Sequence, residues 1–230
     1  MDGVFADVLD DLVDLVLPRR CVGCGALSTA LCPRCGALEP VEIDLPGLRV
    51  VAAAPYQDGL RTALLAYKER GRRDLARPLR TLLRAAVAGL DCPGAVLVPV
   101  PSSSAARRAR GGDHVRRLTG RAGVRPVLRL VRAVHDSAGL DTAGRAANLA
   151  GAMLAVPPSR PRPAVLVDDI VTTGATLREA AGALRAAGWT VGGAAVVAAT
   201  QKRVGAGFAQ RPLFDHTAPT PGTQRQPGLA

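Results

Sequence analysis

The sequence predicts an α/β fold, a mostly parallel sheet flanked by helices, with a small cysteine-rich segment in front of it. Three observations carry this prediction. From residue 48 onward, apolar runs of strand length alternate with stretches of helical periodicity. Two Cys-x-x-Cys pairs crowd into residues 21–36. The chain has 230 residues, 48% of them hydrophobic, enough for a core that buries ~70% of the unfolded surface. The expected organisation is an N-terminal helix and cysteine segment over 1–47, an α/β domain over 48–203, and a disordered tail over 204–230.

The elements follow in order. Phe5, Val8, Leu9, Leu12, Val13 and Val16 recur at helical spacing with aspartates on the opposite face, predicting a helix over 4–17 that Pro18 limits. After the cysteines comes a loop with Pro40 and Pro46. Leu48 to Ala54 reads as a strand, and 59–67 and 75–90 read as helices joined by a basic turn, Lys68 to Arg73. Ala95 to Val100, closed by Pro101, is a short buried strand. Helices are expected at 113–121 and 142–149, a strand at 164–167, a helix at 175–187 and a strand at 191–199. Beyond Lys202 periodicity disappears, and Ala218 to Ala230 is rich in Pro, Gly, Thr and Gln.

Charge is distributed unevenly. Residues 1–47 carry a net −5, residues 48–200 a net +13, and the whole chain +11. The central body therefore suits polyanionic partners, phosphorylated metabolites or nucleic acid. Only Lys68 and Lys202 are lysines, so part of the basic excess is an arginine-rich compositional bias. Aromatic residues make up 3%, which argues against a base-stacking platform. The longest apolar run, Val191 to Ala199, is far below the ~18 residues of a membrane span. The acidic N-terminus lacks the basic start of a secretory signal. A cytoplasmic protein is expected, with cysteines as metal ligands or free thiols.

Cys21 and Cys24 are separated by seven residues from Cys32 and Cys35. Two such knuckles present four thiolates in a tetrahedron, the set that structural Zn2+ takes. A redox pair would leave the second Cys-x-x-Cys unexplained, and an iron–sulfur cluster is the remaining metal alternative. Cys92 stands alone as a structural thiol.

The sharpest motif runs from Val165 to Leu177, Val-Leu-Val-Asp-Asp-Ile-Val-Thr-Thr-Gly-Ala-Thr-Leu. An apolar strand is expected to end in Asp168 and Asp169. A turn then opens a helix through Thr172, Thr173, Gly174, Ala175 and Thr176. Free backbone N–H groups and hydroxyls at such a helix start favour a phosphate. The two acids are acceptors suited to a sugar diol, or to a cation beside one. Together they describe a cradle for ribose 5-phosphate.

This run resembles the PRPP-binding signature of type I phosphoribosyltransferases. The wider layout resembles the ComF family, with an N-terminal helix, a four-cysteine zinc segment and a phosphoribosyltransferase domain. Three other stretches carry that resemblance: Tyr56 to Ala76 with Tyr67-Lys68-x-x-Gly71; Val98 to Ser102 continuing to Arg110-Gly111-Gly112-Asp113-His114; and Asp136 to Leu140 with Arg145 and Asn148-Leu149-x-Gly151. Where many members have an aromatic and Asn-Gln after the Arg-Gly, this chain has Gly112-Asp113-His114.

The resemblance implies a type I phosphoribosyltransferase fold and binding of PRPP with Mg2+. It also implies displacement of pyrophosphate from C1 of the ribose. Asp168 and Asp169 would serve as the catalytic acids holding the 2- and 3-hydroxyls, and the backbone at Val100, Pro101 and Ser102 would meet pyrophosphate. Residues 107–132 hold nine arginines and one acid. They suit a loop closing over diphosphate or a nucleic-acid track, with Arg107, Arg108 and Arg110 foremost. His114 falls in that loop, placed to contact diphosphate or to relay a proton. Lys68 and Arg72 are candidates for phosphate or for plain exposure, and Tyr56 and Trp189 for packing.

Three functions compete. The first is an active phosphoribosyltransferase. The second is a competence factor for DNA uptake that contacts single-stranded DNA and a DNA-translocating helicase, as the family association implies. The third is a PRPP- or nucleotide-sensing regulator without turnover. Self-association into a homo-oligomer is left open.

Overall fold

The structure is a computed structural model. It describes residues 19–27, 29–103, 107–108, 112–120, 123–131, 151–200 and the backbone strand 210–212. The helices expected at 4–17 and 142–149 lie outside the described residues, as does most of the expected tail.

A six-stranded sheet organises the chain. Its strands are β1 (Val41–Leu45), β2 (Leu48–Pro55), β3 (Val96–Pro99), β6 (Pro163–Val171), β7 (Thr190–Ala199) and β8 (Gln210–Pro212), and a separate two-stranded ribbon pairs β4 (Leu128–Leu130) with β5 (Met153–Ala155). The strand order is β3-β6-β7-β2-β1-β8. The four strands from β3 to β2 run parallel, and β1 and β8 add an antiparallel edge. The helices are α1 (Asp58–Glu69), α2 (Ala76–Ala88), α3 (His114–Thr119) and α4 (Ala175–Ala186), with a 3-10 turn at Arg73–Leu75 before α2. This is the mixed α/β architecture with a mostly parallel sheet that the alternating pattern predicts.

The central strands are apolar on both faces because both faces are covered. Val51, Ala53, Val165, Val167, Ala195 and Val197 point to one core, shared with α1, α2 and α3. Val50, Ala52, Ala164, Leu166, Ala194 and Val196 point to the other, shared with α4 and the β4–β5 ribbon. The strict alternation is the two-residue pleat of a strand. In α2, Leu79, Leu82, Leu83 and Ala86 form the buried stripe, while Arg77, Thr81 and Arg84 stay outside.

Three departures from the expected elements have local causes. The loop after the cysteines contains β1, because Pro46 and Gly47 make a tight turn that folds Val41–Leu45 back onto β2. Gln210–Pro212, inside the expected tail, pair with β1. Most consequential for the site, β6 does not end at Val167 but runs through both acids to Val171, paired along β7 by Asp168↔Val196, Ile170↔Ala198 and Val171↔Ala199.

The β6–β7 ladder also slips by one residue between Ala164 and Val165, leaving Gly192 unmatched. The neighbouring Gly193 has φ +145, and a Cβ there would meet Leu90 Cδ2 at 2.7 Å and the Arg49 carbonyl oxygen at 3.1 Å. This bulge needs glycine. Gly193→Ala should therefore lower stability by about 1–3 kcal/mol, read as an earlier urea midpoint with an unchanged slope.

Candidate functional site

The parallel strands deliver their carboxyl ends to one edge, where open α/β sheets bind ligands. β3 and β6 lie side by side and separate there. Val100 N–H donates to the Val167 carbonyl at 3.0 Å. Pro101 has no N–H to extend the ladder, so the chain leaves the sheet. β6 continues alone on that side. The result is a cleft of ≈ 330 Å³ whose lining includes Val100, Pro101, Ser102, Asp168, Asp169, Thr172 and Thr176, joined by Tyr56, Lys68, His114 and Ile170. A larger groove of ≈ 390 Å³ lies between the cysteine segment and the start of α1, but the acids and hydroxyls are gathered in the smaller cleft.

The turn after β6 leads directly into α4. Gly174 caps α4 with φ +74, and any Cβ there would collide with the Leu45 side chain. Only glycine satisfies both constraints. The Ala175 N–H donates to Thr173 Oγ1 at 3.4 Å, so this hydroxyl is engaged with the helix start. Thr172 is exposed and Thr176 is half-buried at the cleft.

The acidic pair is asymmetric. Asp169 is 4% exposed, and its Oδ2 meets Lys68 Nζ at 2.9 Å and His114 Nε2 at 3.0 Å. Its Oδ1 accepts the Ile170 N–H at 2.9 Å. Asp168 is half-buried, and its Oδ1 accepts the Asp169 N–H at 2.8 Å. Burial, then the neighbouring Asp169 charge, pushes the Asp168 carboxyl well above the usual carboxylate range. Burial also opposes ionisation of Asp169. The His114 hydrogen bond and the Lys68 charge outweigh it and hold that carboxyl far below the usual range.

His114 reaches Asp169 because α3 is fixed at both ends. Asp113 caps its start, accepting the Arg116 N–H at 3.1 Å. Arg80 of α2 closes its end, donating to the Leu118 and Arg117 carbonyls at 3.2 and 2.8 Å. A helix of six residues would be marginal without such anchors. Tyr67 donates its hydroxyl to the His114 carbonyl at 3.0 Å, so consecutive residues of α1 fix His114 and pair Asp169. His114 is thus buried at 4% exposure rather than carried on a loop surface, and its Nδ1 has no partner among the described residues.

Arg107 and Arg108 are exposed and do not line the cleft, while Arg110 lies outside the described residues. Arg72 pairs with Asp74 at 2.7 Å. Tyr56, expected to pack, lines the cleft, whereas Trp189 is buried and donates its indole N–H to the Val156 carbonyl at 2.8 Å.

The four cysteines converge, with the sulfur atoms of Cys21, Cys24, Cys32 and Cys35 all within 4.8 Å of one another. Zn–S bonds of about 2.3 Å place tetrahedral sulfurs about 3.8 Å apart, and the Cys24–Cys32 separation is 3.7 Å. The residues therefore fit a metal ion such as zinc. The thiols behave as a crowded set. Burial opposes ionisation of Cys21, but the amide hydrogens of Cys32, Cys24 and Gly23 outweigh it and hold the thiol down at about 6. Cys35 is pushed up to about 12 by burial and by its hydrogen bonds within the quartet. A divalent cation at the centre would reverse that repulsion. Cys35 also sits on the first turn of α1, where a Cβ on Gly59 would meet its Sγ at 2.5 Å.

No protein-family model matches the chain, and no curated protein gives a significant match. Among the described residues, no helix is long and apolar enough to cross a membrane.

Purified chain should carry about one zinc by elemental analysis, since a closed four-thiolate site holds a single ion. Cys24→Ser should lower that stoichiometry and expose residues 19–36 to proteolysis. Full zinc retention in the variant would contradict the assignment.

Proposed function

We propose that the cleft binds PRPP as its Mg2+ complex and that the chain is a type I phosphoribosyltransferase-like protein of the ComF kind. The observation that carries this is one cleft combining an acidic pair, a hydroxyl-rich helix start and a strand end flanked by prolines. The α4 N-terminus with Thr172 and Thr176 suits the 5-phosphate, since free N–H groups and the helix dipole favour an anion. The acids suit the ribose hydroxyls. The backbone from Val100 to Ser102, with Lys68 nearby in the lining, suits the diphosphate.

In turnover, the bond from C1 to pyrophosphate breaks and positive charge develops on the sugar. A carboxylate held at the cleft would stabilise that charge, and donors around the leaving group would stabilise the opposite one. The protein's contribution is to hold both in place before the bond breaks. A pocket that binds PRPP without an acceptor would serve as a sensor by the same contacts.

Calorimetry with Mg2+ and PRPP should show binding by the wild type and none by the Asp168→Asn/Asp169→Asn double variant, with zinc content unchanged. Undiminished affinity in the double variant would sink the diol account. A screen with amine and base acceptors for pyrophosphate release then separates enzyme from sensor.

A second reading, single-stranded DNA binding in a competence role beside a helicase, is favoured by the exposure of Arg107 and Arg108 away from the cleft. Its electrostatic form requires affinity for a single-stranded oligonucleotide that falls steeply between 50 and 200 mM salt, by roughly three-hundredfold if about six phosphates are contacted. A flat salt response would remove it.

A further inference from the structure

We infer that the two acids divide the work: Asp168 is the carboxylate that meets the ligand's hydroxyls, and Asp169 is an internal positioning residue holding Lys68 and His114. The inference rests on reading the cleft as a phosphorylated-ribose site and assigns different roles within it.

The argument is an account of lone pairs. A carboxylate offers about four acceptor sites. Asp169 has three of them filled, by Lys68 Nζ, His114 Nε2 and the Ile170 N–H, and it is 4% exposed. The one site left is on Oδ1 of a buried side chain, and a hydroxyl arriving at Oδ2 must displace a cation or a buried ring. Displacing the ring is costly, because His114 Nδ1 already lacks a partner and Nε2 would lose its own. Facing a carboxylate, Nε2 must carry the hydrogen, which fixes the tautomer. Lys68 is likewise held at one donor, with its remaining donors at the cleft wall.

Asp168 is in the opposite position. Its Oδ1 accepts the N–H of the next residue, and among the described residues no lysine, arginine or histidine forms an ion pair with it, unlike Asp169. It is half-buried and lines the cleft. It is the carboxylate with acceptor capacity to offer. Its raised affinity for a proton fits a group whose compensating donors arrive with the ligand. The fixed Lys68–Asp169–His114 unit then sets the shape of the cleft wall around it.

The test uses the full chain as wild type, Asp168→Asn, Asp169→Asn and His114→Gln. Calorimetry with Mg2+–PRPP and with ribose 5-phosphate gives affinity, and 15N NMR of the imidazole nitrogens reports the His114 hydrogen bond without any ligand. Asp168→Asn should weaken PRPP about 30-fold, the scale of hydrogen bonds to a charged group, with the His114 nitrogen shifts unmoved. Asp169→Asn should move those shifts and weaken PRPP by less than about tenfold, because a positioning loss is only partial. If Asp169→Asn does not fold, His114→Gln takes its place, with the same small loss of affinity expected. Equal losses from the two acids, or His114 shifts that respond to Asp168→Asn and not to Asp169→Asn, would overturn the division. A wild type that binds neither sugar phosphate would instead overturn the ribose reading and Asp168's role with it. The ligand-free NMR comparison would still decide Asp169.

Discussion

Asp169 is the constraint on which the cleft depends. A carboxylate this buried is tolerable only when paired, and its partners come from different parts of the chain. Lys68 belongs to α1, His114 to α3, and the acid itself to β6. One charge therefore fixes two helices against the central sheet beside the cleft. Tyr67 and Arg80 add neutral and cationic ties to the same short helix. Removing the acid would leave a lysine and an imidazole without the carboxylate they share.

The opening beside that charge is a consequence of unequal strand lengths. β3 stops at Pro99 while β6 and β7 continue together for four more residues of β6. A strand paired on one side only presents free backbone and side chains on the other. Pro101 ensures that the β3 chain cannot follow. Gly174 completes the arrangement at the far end of the turn, because Leu45 from the antiparallel edge occupies the space of its missing side chain. The hairpin edge thereby supports the start of α4 and, through it, the hydroxyl-bearing side of the cleft.

Much of this was legible in the sequence. The strand–helix alternation gave the layered architecture, because two-sided burial writes itself as uninterrupted apolar runs. The motif from Val165 to Leu177, with Val100 to Ser102, located eight residues that the fold brings into one cleft. Boundaries were less legible. The acids of β6 looked like a strand end because polarity usually marks one, yet the ladder to β7 carries the strand past them. β1 was hidden by its flanking prolines. The Lys68–Asp169–His114 unit was missed because its members lie in three separate segments, and local pattern cannot report a long-range ion pair. A signal was present: in a chain whose basic residues are almost all arginine, Lys68 stands out. A lysine presents a compact charge that a single carboxylate oxygen can hold.

The cysteine segment belongs to the same mechanical chain. Gly23 and Gly59 are in close contact, and Cys35 packs against Gly59 at the first turn of α1. Cys21, Ala30, Leu31 and Cys32 share the core of α1 and α2. A segment of about fifteen residues has little apolar surface of its own, and a metal ion held by the four thiols would add its binding free energy to folding. The far end of α1 carries Tyr67 and Lys68. A helix of twelve residues transmits position far better than a loop, so the same α1 that seats the cysteine cluster at one end sets the cleft's cation at the other.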